Sequence, residues 1–108
     1  MNSMRELVEF TRNKSLSPRD LLLNSALGLV CEGGEYGDHI KKFAFQGHDV
    51  DREKCLKELG DVLWYVELAL IGLNATRYDI EQAAIKKLLA RYPEGFKVES
   101  SVGRTTKE

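Results

Sequence analysis

Glu32-Gly33-Gly34-Glu35 and Glu58-Leu59-Gly60-Asp61 each place two acidic side chains three residues apart. On a helix, positions i and i+3 share a face, so each pair aims two carboxylates in one direction. Both pairs adjoin largely apolar segments, Ala26 to Val30 before the first and Val62 to Ile71 after the second. Four carboxylates gathered near a helical core repel one another and resist losing water. A hard divalent cation resolves that conflict, because oxygen donors around Mg2+ or Mn2+ cancel the accumulated charge. One ExxE is usually an ordinary solvated helix face. Two such pairs on consecutive helices point to a metal site.

The donor types narrow the metal. Ferritin-like di-metal bundles also use helix carboxylates, but they need Glu-x-x-His on two helices. No Glu-x-x-His occurs in this chain; His39 follows Glu35 by four residues and His48 falls in an expected loop. An all-oxygen donor set argues against redox iron and for Mg2+ or Mn2+ acting on phosphates.

The elements that must carry these pairs read as helices. Met4 to Asn13 forms a short amphipathic helix with Leu7, Val8 and Phe10 as its apolar residues. Ser17-Pro18-Arg19-Asp20 is a helix start, with Ser17 as N-cap and Pro18 at the first helical position. The second helix runs from Pro18 to about Phe45, with Leu22, Ala26, Leu29 and Val30 expected on its buried stripe. Gly33-Gly34 costs such a helix about 2 kcal/mol against two alanines. That cost implies close approach of another backbone or a ligand. After a loop at Gln46 to Asp49, Asp51 caps a third helix from Arg52 to about Leu73. Leu56, Leu59, Leu63, Val66, Leu70 and Leu73 recur along it at helical spacing. An antiparallel hairpin of these two helices brings the acidic pairs to similar heights, given 1.5 Å of rise per residue. Thr76 with Asp79 resembles a capping box for a last helix, Arg77 to about Tyr92, which stops at Pro93. Residues 98–108 are expected to be a polar tail, extended or disordered, behind a single domain at 1–97.

Bulk properties exclude several functions. The chain has 108 residues, a net charge of −1 and interspersed signs, so no general grip on nucleic-acid polymers is expected. No apolar run approaches the roughly 20 residues that span a bilayer. Met1 to Arg12 carries Arg5, Glu6 and Glu9 rather than an apolar signal core. Cys31 and Cys55 are isolated thiols, read as small core fillers in a reducing compartment. The expectation is a soluble cytoplasmic protein with no membrane partner.

The motifs resemble those of the MazG-like nucleoside triphosphate pyrophosphohydrolases, an all-α group related to the dimeric dUTPases. That family's pattern is two adjacent glutamates, a third after two residues, and a Glu-x-x-Asp further on. Here Cys31-Glu32-Gly33-Gly34-Glu35 is followed after 22 residues by Glu58-Leu59-Gly60-Asp61. Leu27-Gly28-Leu29, Ile40-Lys41-Lys42, Val62-Leu63-Trp64-Tyr65 and Arg91-Tyr92-Pro93-Glu94-Gly95-Phe96 extend the resemblance over residues 20–97. Two departures stand out. Cys31 occupies the place of the first glutamate, and an asparagine of the family is absent where Ala83, Ala84 and Ile85 stand.

The resemblance implies an all-α, four-helix bundle-like fold of MazG type, assembled as a homo-oligomer, with a tetramer preferred to a dimer. It implies hydrolysis of a (deoxy)nucleoside triphosphate to monophosphate and pyrophosphate, in the service of nucleotide-pool house-cleaning. Glu32, Glu35, Glu58 and Asp61 are the expected ligands of Mg2+, with Mn2+ as a substitute. Glu32 or Glu35 is open as the group that orients or deprotonates the attacking water. Lys87 and Arg91, four apart on the last helix, suit phosphate oxygens, although an ordinary basic face reads the same way. Trp64 follows Asp61 by three residues and could stack on a base, although a tryptophan there is more often core. Lys41, Lys42, Lys54 and Lys57 are weaker phosphate candidates, and His39 is read as a polar boundary residue. The alternative is a catalytically silent helical interaction module with a vestigial acidic site.

Overall fold

Four helix starts are set by side chains that accept an otherwise unpaired backbone N–H. Ser3 accepts from Glu6, Ser17 from Asp20, Asp51 from Lys54, and Thr76 forms a reciprocal capping box with Asp79. The helices that follow are α1 (Met4–Thr11), α2 (Pro18–Phe45), α3 (Arg52–Gly72) and α4 (Arg77–Arg91), with a short α5 (Val98–Gly103) behind them. These elements come from a computed structural model that describes residues 1–103. Among the described residues there is no strand; Pro93 and Gly95 form an isolated bridge. The protein is all-helical, as expected. Among the described residues, no helix is long and apolar enough to cross a membrane.

Two compact units divide the chain, Met1–Asn74 and Ala75–Glu108. In the first, α2 packs along α3 and α1 packs against α3. Val8, Leu21 and Leu68 are its buried cluster, wrapped by Met4, Leu16, Trp64, Tyr65 and Ile71. Arg5 on α1 adds an ion pair, Nε to Glu67 Oε2 at 2.7 Å. The core therefore lies at the end of the α2–α3 hairpin remote from its turn, and the acidic motifs occupy the stretch between core and turn. Asn74 closes α3 in the left-handed conformation, φ 54°, which asparagine tolerates at a helix C-terminus. In the second unit, α4 leads into a turn where the Tyr92 and Phe96 rings lie 5.9 Å apart, and α5 follows.

Two expectations need correction. The buried stripe of α2 is Leu21, Ser25, Gly28 and His39, whereas Ala26 is exposed, Leu22 and Leu29 are half-buried, and Val30 is 74% exposed. Small residues face the partner helix because Tyr65 crosses there: a Cβ on Gly28 would overlap its ring. On α3, Leu70 is buried, while Leu56, Leu59, Leu63 and Leu73 are exposed, so the apolar residues of this helix extend beyond the face that one chain covers. The expected tail begins with α5 instead of extended chain; Arg104 to Glu108 lie outside the described residues. Helix ends otherwise fall within two residues of the sequence reading.

Candidate functional site

Three contacts set the register of α2 against α3. His39 Nε2 accepts the Asp51 N–H at 3.2 Å, Gly28 lies against Tyr65, and Gly72 lies against Leu21 and Leu22. Partners descend along α2 as they ascend along α3, so the helices are antiparallel. That register sets Glu35 level with Glu58 and Glu32 level with Asp61. Both acidic pairs thus face one another, as their spacing from the turn predicts.

The carboxylates line two adjoining grooves. One, of about 570 Å3, is bounded by Glu35, Glu58 and Cys31, with Asp38, Lys42 and Lys54 toward the turn. The other, of about 270 Å3, is bounded by Glu32, Asp61, Trp64 and Tyr65. Glu58 is only 9% exposed, and its Oε1 has no hydrogen-bond partner; Glu32 Oε2 is buried without one as well. Burial, followed by the charges of Glu35, Asp61 and Glu58, raises the Glu32 carboxyl above the usual carboxylate range. These oxygens are desolvated, crowded by like charge and unsatisfied, which is costly in a folded protein.

Oxygen-only donors with orphaned lone pairs fit a hard cation such as Mg2+. Among the described residues, no three His, Cys, Asp or Glu side chains are grouped so that they could hold a metal ion. The four acids flank a cleft between two helices and do not form a closed cage.

Around this cluster the remaining residues divide by role. Trp64 donates Nε1–H to Thr11 Oγ1 at 2.8 Å, packs on the core and meets Tyr65 edge to face, while also lining the Glu32–Asp61 groove. It is both core and wall. Tyr65 shares that wall, and its place four residues after Asp61 was the overlooked signal. His39 is buried and holds the N-cap of α3. Asp38, also overlooked, pairs with Lys42 at 3.0 Å, and hydrogen bonding from Lys42 holds its carboxyl below the usual range. Cys31 is exposed on the groove and is not a core filler, a correction that follows from the shifted phase of α2. Lys87 and Arg91 stand on α4 in the second unit, the first exposed and the second half-buried.

No curated protein and no solved structure matches the chain significantly. The family model of the MazG nucleotide pyrophosphohydrolase domain matches residues 22–96, most of the chain and both acidic motifs. With that match over an all-helical scaffold whose paired acids face one another, the chain belongs to the MazG nucleotide pyrophosphohydrolase domain family.

Proposed function

We propose that the protein hydrolyses (deoxy)nucleoside triphosphates to the monophosphate and pyrophosphate, with Mg2+ as its cation and Mn2+ as a substitute. The observation that supports this most is the facing of Glu32, Glu35, Glu58 and Asp61 across α2 and α3, with buried, partnerless oxygens on Glu32 and Glu58. These four would hold the cation, which when bound neutralises phosphate charge and polarises the reacting phosphoryl group. Glu32 or Glu35 orients the attacking water and accepts its proton. Attack at the α-phosphorus breaks its bond to the bridging oxygen, and pyrophosphate leaves. The Trp64–Tyr65 wall offers an aromatic surface to the base. Lys87 and Arg91 are proposed to reach phosphate oxygens. The role is removal of unwanted nucleotides in the cytoplasm by a homo-oligomer, a tetramer ahead of a dimer.

The test is direct. Purified protein is incubated with standard and modified dNTPs in Mg2+ or EDTA, and monophosphate and pyrophosphate are quantified. Turnover in Mg2+ alone is expected, and Glu35→Gln and Asp61→Asn should each lower kcat/KM by about 100-fold or more. Absence of metal-dependent turnover on every nucleotide would leave the helical interaction module as the better reading. Full activity in both variants would move the site elsewhere.

A further inference from the structure

Thr11, the last residue of α1, holds the wall of the Glu32–Asp61 groove without lining the groove itself. A threonine hydroxyl has one proton to give and two lone pairs. Here the proton goes to the Leu7 carbonyl at 2.7 Å, within α1, so toward α3 the oxygen is an acceptor. An indole N–H can only donate, and Trp64 Nε1 donates to that oxygen at 2.8 Å. Neither group has a choice of direction. Trp64 is held a second time through its ring, edge to face on Tyr65 with centroids 5.0 Å apart. The rest of α1 is anchored separately, by buried Val8 and by the Arg5–Glu67 ion pair. The helix therefore keeps two ties when the Thr11 bond is removed.

We propose that Thr11 is a positioning residue for the nucleotide: by taking up the indole N–H of Trp64, it fixes the ring before the base arrives. This rests on the hydrolase reading of the same site. A ring free to turn loses that freedom at each binding event, which weakens binding; a ring fixed beforehand has little to lose. The bond also decides what the wall offers. With its one polar atom turned to α1, the indole favours a base by stacked area and not by hydrogen bonds to the base's edge. The four acids take no part in this bond, so its effect belongs to nucleoside binding and not to the chemical step.

Thr11→Val keeps a branched side chain and removes the acceptor. In Mg2+ it should raise KM for a dNTP about three- to tenfold, the range for one lost hydrogen bond, with kcat within about twofold. Product inhibition should divide in the same way. Inhibition by the deoxynucleoside monophosphate should weaken about three- to tenfold, while inhibition by pyrophosphate, which carries no base, stays within about twofold. Thr11→Ser, which retains the hydroxyl, should restore native values. The single tryptophan gives a readout without turnover: acrylamide should quench its fluorescence more strongly in Thr11→Val than in native protein or Thr11→Ser. In Trp64→Phe protein, which has a ring but no N–H, adding Thr11→Val should change nothing further. Native turnover with unaltered monophosphate inhibition in Thr11→Val would overturn the positioning role and leave the hydrolase reading standing. Equal weakening of monophosphate and pyrophosphate inhibition, or a Thr11→Val effect that persists in Trp64→Phe protein, would overturn it as well. Failure of the native protein to hydrolyse any nucleotide would remove the parent reading and this one with it.

Discussion

Glu58 and Glu67 lie on the same helix, both buried, and differ in what their oxygens meet. Glu67, 4% exposed, accepts from Arg5 and ties α1 to α3. Glu58 Oε1 meets nothing, and across the cleft Glu32 Oε2 is in the same condition. Partnering separates an acid that supports the fold from two acids with an oxygen left unsatisfied. A raised carboxyl binds protons more tightly in the folded state, so it lowers stability above its folded pKa and ceases to do so below the unfolded value near 4.5. Glu32→Gln should therefore raise the Tm of the metal-free protein at neutral pH, with the gain shrinking toward zero as pH falls through that window. Glu9 and Asp38 shift downward, through Arg12 and Lys42 respectively, and lose stability as pH falls. Both act equally in native and variant protein, so the difference between the two melting curves isolates Glu32. A variant that melts lower than the native protein at neutral pH would remove the charge conflict from the account.

The glycines of α2 divide in a way that the sequence alone concealed. Gly33-Gly34 looked like the point of close approach, yet nothing lies within 4 Å of where a Cβ would stand on either. Gly28, one turn nearer the core, is the residue pressed by Tyr65. Chemical denaturation should separate them. Gly33→Ala should stabilise by about 0.5–1 kcal/mol, the helix-propensity gain unopposed by contact. Gly28→Ala should cost about 1–3 kcal/mol by overpacking, since the obstacle is an aromatic ring held at the core. If Gly28→Ala were neutral, the α2–α3 register drawn through Tyr65 would be wrong. Periodicity found α2 and its caps because both depend on residues close in sequence. It missed the buried stripe because that depends on which α3 side chain arrives opposite.

At the scale of the molecule, much apolar surface stays uncovered in one chain. Leu23, Leu27 and Val30 are exposed on α2, as are Leu56, Leu59 and Leu63 on α3, and no residue of α4 is buried. Contiguous apolar faces of this kind mark association surfaces. Light scattering during gel filtration should show an oligomer, a tetramer ahead of a dimer, and Leu27→Glu should shift it toward smaller species. A monomer of full activity would exclude the assembly.

Residue types and local spacing were enough to establish an all-helical chain, its caps and its two acidic motifs, because each depends on neighbours within a turn or two. The family match over residues 22–96 agrees with that reading. Only tertiary structure decided which acid faces which, that Cys31 lines the groove, that His39 holds the cap of α3, and that Lys54 and the Trp64–Tyr65 wall bracket the acids from opposite ends. Those facts arise where two helices distant in sequence meet. No periodicity within either helix sets the register between them; it is set by packing, with Gly28 yielding to Tyr65 and Gly72 to Leu22.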